Sequence, residues 1–144
     1  MKKAGKVVIG FLLLFWELPQ NLLGFVIFAF LRIKKSVLHI QLGKGRFFIE
    51  TLRTGVSLGC LVFWTRSGNR FPYLENDCRM HEYGHARQSV MLGPFYLFVI
   101  GIPSVSRVLF RKWYSWKFGQ NWKNYYNGFP ENWADQLGGV IKKA

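Results

Sequence analysis

Apolar residues dominate positions 7–31, a run long enough to cross a bilayer as a helix. The run is interrupted near its centre by Glu17-Leu18-Pro19-Gln20-Asn21. Proline breaks a helix, and a carboxylate at the bilayer midplane is costly. Two shapes answer to this pattern. One is a single kinked transmembrane helix. The other is a helical hairpin that turns at Pro19-Gln20-Asn21, each arm reaching roughly half the hydrocarbon thickness. A cleavable signal peptide ranks last, because no small-x-small cleavage site follows the apolar core.

The pattern then changes period. Residues 37–50 and 55–65 carry short β-branched and aromatic runs punctuated by glycine, such as Phe47-Phe48-Ile49 and Leu61-Val62-Phe63-Trp64. These predict strands over 37–65, including a hairpin. A polar turn follows at 66–72. A helix is expected over 76–92, capped by Asn76 or Asp77 and stopped by Gly93-Pro94. A second apolar segment, 95–110, is broken by Gly101 and Pro103 and is marginal for a full span. Residues 113–129 are rich in Trp, Tyr, Asn and Lys, a mixture suited to a membrane–water interface. A short helix at 130–137 opens with Pro130 in its first turn and ends at Gly138-Gly139. The predicted class is an α+β membrane protein forming one domain over 1–144: apolar helix or helical hairpin, small β-sheet, motif helix, second apolar segment, short C-terminal helix.

Charge sharpens this picture. The net charge is +13, which in a soluble domain would suggest nucleic acid. Here the basic residues border the apolar runs: Lys2, Lys3 and Lys6 before the first, Arg32, Lys34 and Lys35 after it, and Arg107, Arg111, Lys112 and Lys117 around the end of the second. That arrangement suits anionic lipid, and no nucleic-acid motif accompanies it. The expected setting is the bacterial inner membrane, with the site facing the cytoplasm. Cys60 and Cys78 form no C-x-x-C and read as buried, reduced thiols.

The candidate chemistry lies in His81-Glu82-Tyr83-Gly84-His85, an H-E-x-x-H. On a helix, positions i and i+4 share a face, so both imidazoles can reach one ion. Neutral imidazole suits Zn2+, and Glu82 can take a proton from water activated by the metal. Gln88 falls near the same face. Gly84 costs about 1 kcal/mol in a helix relative to Ala, which points to a close neighbour or substrate at that spot. The remaining histidine, His39, reads as structural. A catalytic zinc needs a third protein ligand. Glu131 and Asp135 share one face of the short C-terminal helix: Glu131 can bind the ion, and Asp135 can accept the ring N–H of a ligand histidine.

An H-E-x-x-H followed by a distal E-x-x-x-D resembles the thermolysin-like, or gluzincin, zinc metallopeptidases. The resemblance implies His81, His85 and Glu131 as metal ligands, Glu82 as general base and Asp135 as the residue that orients a histidine. A wider stretch is similar to a group of small bacterial membrane proteins: Trp16 to Asn21, Ser57-Leu58-Gly59, 81–89, 92–104 and 130–140. That similarity brings no substrate with it.

The expected function is hydrolysis of a peptide or membrane-protein substrate at a lipid membrane. The strands around Val56 to Trp64 are expected to offer an edge to an extended peptide, and Tyr83, Tyr125 and Tyr126 are minor candidates for oxyanion contacts. The alternatives are a membrane scaffold or immunity-type protein with a structural zinc, or a zinc hydrolase of another amide or a lipid.

Overall fold

In the computed structural model, residues 10–66 and 75–140 are described. The basic N-terminal residues, most of the polar turn at 66–72 and Lys142 lie outside them. Among the described residues, five helices and a four-stranded sheet make an α+β fold. Helix α1 (Gly10–Trp16) meets α2 (Leu18–Ile33) at an 88° bend. The break is at Glu17, earlier than expected, and it is a sharp bend between two helical arms, not a hairpin turn at Pro19-Gln20-Asn21. Pro19 does not interrupt a helix here. It sits in the first turn of α2, where its missing N–H has no intrahelical acceptor to lose. No single described helix is long and apolar enough to cross a membrane, although the bent pair together meets the length and composition.

The strands are β1 (Val37–Gly43), β2 (Arg46–Thr51), β3 (Val56–Leu58) and β4 (Leu61–Thr65), ordered β1-β2-β4-β3. Two antiparallel hairpins are joined by parallel pairing of β2 with β4. Lys44 and Gly45 both have positive φ, which suits the tight turn of the first hairpin. One face of the sheet carries Ile49, Leu61 and Phe63 against Leu31, Ile27 and Phe28 of α2. The other packs Phe48, Val62 and Trp64 against Tyr83 and Ala86 of α3 (Glu75–Leu92). Because α3 already includes Glu75, Asn76 and Asp77 lie inside the helix and are not its boundary.

Gly93 ends α3 with φ 53°, as expected. The chain then runs through a 3₁₀ turn (Gly93–Phe95) and a π-helical turn (Leu97–Gly101) directly into α4 (Ile102–Phe118). Gly101 and Pro103 therefore do not break the second apolar segment. Pro103 again occupies a first turn, and the helix continues past residue 110 to a left-handed cap at Gly119. A 3₁₀ turn (Tyr125–Asn127) leads to α5 (Glu131–Gly138), which Pro130 precedes as N-cap and Gly139 closes.

Two helices expose much of their apolar surface. In α2 the buried positions include Gln20 and Asn21, while Leu22, Phe25, Val26 and Phe30 are exposed. In α4 no residue is buried. Cys60 and Cys78 are buried as thiols in separate apolar clusters.

Candidate metal centre

The site is built where α5 crosses α3. A Cβ on Gly84 would lie 1.9 Å from the Ala134 carbonyl oxygen, and one on Gly138 would lie 2.2 Å from that of Met80. Only glycine at both positions allows the two backbones to come this close. The neighbour anticipated from Gly84 is therefore α5 itself.

This approach carries Glu131 to the two histidines, although 46 positions separate it from His85. Its Oε2 lies 3.1 Å from His81 Nε2 and 3.4 Å from His85 Nε2. One donor atom from each of the three residues falls within 4.8 Å of the others. Around tetrahedral zinc with bonds of about 2.0–2.1 Å, donor atoms stand roughly 3.3 Å apart. The spacing and the two-imidazole, one-carboxylate donor set therefore fit that ion.

Each candidate ligand is also held from behind. His81 Nδ1–H donates to Asp135 Oδ1 at 2.7 Å. His85 Nδ1–H donates to Gln88 Oε1 at 2.8 Å, and Gln88 Nε2 donates to the Pro130 carbonyl. The Ser104 hydroxyl donates to Glu131 Oε1 at 2.7 Å. Such partners fix the ring tautomers and leave both Nε2 atoms directed at the centre. Sequence placed Asp135 in this role and marked Gln88 only by its spacing. Ser104 was missed; its one signal is a hydroxyl within an apolar run.

The electrostatics follow from this packing. Burial alone would lower the His81 pKa. Hydrogen bonds to Asp135 and Glu131, with the charges of Glu82 and Glu131, outweigh it and raise the value to about 9. Burial alone would raise the Glu131 pKa, but its hydrogen bonds to His81 and His85 and the charges on their rings hold it far below the usual carboxylate range. Glu82 is buried beside them, and its backbone carbonyl accepts from Ser57 Oγ.

Of the tyrosines, Tyr126 stands edge-on to the His81 ring at 5.7 Å, with Tyr125 packed against it. Tyr83 lies on the sheet side beside Phe48, away from the centre. His39 is exposed on β1. The strand edge expected at Val56 to Trp64 is available only in part: β4 is internal, and on β3 the Ser57 carbonyl already accepts from Tyr96 at 3.0 Å.

Glu17 is not a ligand. It forms a two-pronged ion pair with Arg46 at 2.7 and 3.2 Å and accepts from Ser89 Oγ at 2.5 Å. Gln20 Nε2 reaches Ser89 Oγ and the Gly93 carbonyl, and the Trp16 ring nitrogen reaches the Val90 carbonyl. The interrupted apolar run thus docks on the end of α3 beyond His85. Comparison of the chain with protein-family models, with curated proteins and with solved structures finds no match.

Proposed function

We propose that the protein is a membrane-bound zinc peptidase of gluzincin-like design, with His81, His85 and Glu131 holding the metal. The observation that carries this reading is the convergence of those three donors, each braced by its own partner. When bound, zinc would supply Lewis acidity, polarising a scissile carbonyl and making water acidic enough to attack near neutral pH. Glu82 would accept the proton of the attacking water and return it to the leaving amine. Asp135 and Gln88 would hold the histidines in the tautomer that leaves each Nε2 lone pair available.

The exposed apolar surface of α2 and α4 supports a lipid setting, because large side chains such as Leu22, Phe25, Val26, Phe30, Ile102, Val105 and Leu109 face outward while Gln20 and Asn21 are buried. Arg107, Arg111, Lys112 and Lys117 favour a site facing the cytoplasm of a bacterial inner membrane.

Near-complete burial of the four central residues favours a second reading, a zinc kept for structure alone. Against it, the metal-competent group among the described residues has three members, which leaves the open position that catalysis needs. Glu82→Gln distinguishes the two. It should keep stoichiometric zinc yet lose about 10²–10⁴-fold in hydrolysis of a peptide library or of membrane proteins compared by proteomics. A Glu82→Gln protein as active as the wild type would remove the mechanism.

A further inference from the structure

We propose that the metal centre lies at the depth of the lipid acyl chains, so that the substrate is a polypeptide segment inserted in the bilayer and not a soluble peptide. This rests on the peptidase reading above and adds to it where the reaction takes place.

The inference begins with α4. Its inward side mixes polar contacts, Ser104 to Glu131, Arg107 to the Asn124 and Tyr125 carbonyls and Arg111 over the Tyr125 ring, with Val108 packed on Cys78, Tyr125 and Tyr126. Its outward side presents Ile102, Val105 and Leu109, in line with Phe98 of the preceding π-helical turn, each more than half exposed and spaced three or four residues apart. Water would favour the opposite arrangement.

The outward-facing Ser106 is informative, because its hydroxyl donates to the Ile102 carbonyl at 2.8 Å. A hydroxyl satisfied four residues back along its own helix does not need water.

Polarity is also segregated along the helix axis. The half up to Phe110 is apolar on its outer side apart from the self-satisfied Ser106, whereas Arg111, Lys112, Trp113, Trp116 and Lys117 follow it. A helix lying flat on a membrane carries its polar residues along its whole length. Segregation toward one end describes a helix that dips inward, with aromatic and basic residues left at the headgroups. A chain of net charge +13 suits anionic headgroups at that end.

Ser104 ties this helix to the chemistry. It lies between Phe98 and Leu109, within roughly 10 Å of either along the axis. Its hydroxyl is 2.7 Å from the carboxylate of Glu131. Whatever depth the outer stripe occupies, Glu131 shares it, and the histidines follow. A helical segment in lipid has its backbone fully hydrogen-bonded, so a scissile bond there needs local unwinding.

The test uses the full chain in phosphatidylethanolamine–phosphatidylglycerol vesicles. Single cysteines replace Ile102, Leu109 or Trp116, which are exposed and outside the centre, and carry bimane. Native Cys60 and Cys78 are buried. Lipids brominated at different depths serve as quenchers. The expected result is strongest quenching by deep bromines at Ile102 and by shallow ones at Trp116, a depth difference of at least about 10 Å. Equal, shallow quenching at all three positions overturns the proposal and leaves a peptidase at the membrane surface. Absent quenching, with Ile102→Cys cross-linking between two molecules, assigns the stripe to a second copy and also overturns it.

In the second arm, one set of candidate sequences is supplied as vesicle-inserted single spans and as water-soluble peptides. The inserted form should be cut at least about tenfold faster by wild type and not by Glu82→Gln. Preference for the soluble form overturns the substrate class. A correct depth profile with bound zinc and no cleavage of either form overturns the peptidase reading, and the substrate class with it.

Discussion

Gly84→Ala tests the architecture of the centre most directly, because local and tertiary physics give opposite signs. In a helix interior, Ala is favoured over Gly by about 1 kcal/mol, so an isolated α3 would gain stability. In the folded protein the new Cβ would lie 1.9 Å from the Ala134 carbonyl oxygen, 2.7 Å from its carbon and 3.0 Å from its Cα. All three are backbone atoms, so no side-chain rotation relieves them. Ordinary contact begins near 3.4 Å, so α5 has to retreat by more than about 1 Å; crowding of this kind costs about 1–3 kcal/mol. Glu131 moves with α5, and a metal constellation tolerates only about 0.5 Å of displacement. The expected outcome is a protein less stable than wild type, with zinc affinity lowered at least about tenfold. Thermal unfolding with and without zinc, and competition against a chelator, measure both. Gly138→Ala, 2.2 Å from the Met80 carbonyl oxygen, should behave alike. If Gly84→Ala is as stable as wild type and binds zinc equally, α5 does not pack on α3 as described.

Glu131→Ala should abolish tight zinc binding, whereas Asp135→Asn should weaken it by about 10–100-fold, since it removes only the acceptor behind His81; isothermal titration ranks the two. In the metal-free protein His81 titrates near 9, above its ordinary 6.5. Zinc binding must therefore expel a proton, and apparent affinity should rise roughly tenfold per pH unit up to about 9, read from proton release in buffers of different ionisation enthalpy. By the same sign, the stability this group adds to the metal-free fold is complete below about pH 6.5 and lost as pH rises through about 9, which thermal unfolding across that range would show. Arg46→Met leaves Glu17 buried without its counter-ion and should cost about 3–5 kcal/mol; if Glu17→Gln in the same chain recovers none of it, the pair is not what holds α1–α2 to α3.

The residues of the candidate centre were legible because they follow residue type at fixed helical spacing. His81, His85, Glu131 and Asp135 are each one turn from a partner, and Gly84 announced a close neighbour. Ser104 and Arg46 were not legible, since each acts across a distance that no periodicity encodes: Ser104 meets Glu131 from 27 positions away, and Arg46 meets Glu17 from 29. The sheet divides in the same way. Glycine and β-branched runs revealed hairpins, but the parallel pairing of β2 with β4 depends on packing under α2 and over α3. Pro19 and Pro103 misled for one reason. A proline was read as an interruption, yet in a first helical turn it has no hydrogen bond to lose. The bend instead falls at Glu17, where Arg46 and Ser89 make a buried charge tolerable.

The order of the ligands along the chain has a consequence in time. His81 and His85 leave the ribosome together, but Glu131 follows 46 positions later. At about 5–20 residues per second, that interval lasts roughly 2–9 seconds. During it, α3 has no α5 to lie against, and the histidines lack the carboxylate that completes the candidate site. On the proposed reading, metal capture is therefore a late event in biogenesis. On the proposed zinc-peptidase reading, a newly made chain would gain hydrolytic capacity only once α5 has reached α3 and brought Glu131 to the histidines.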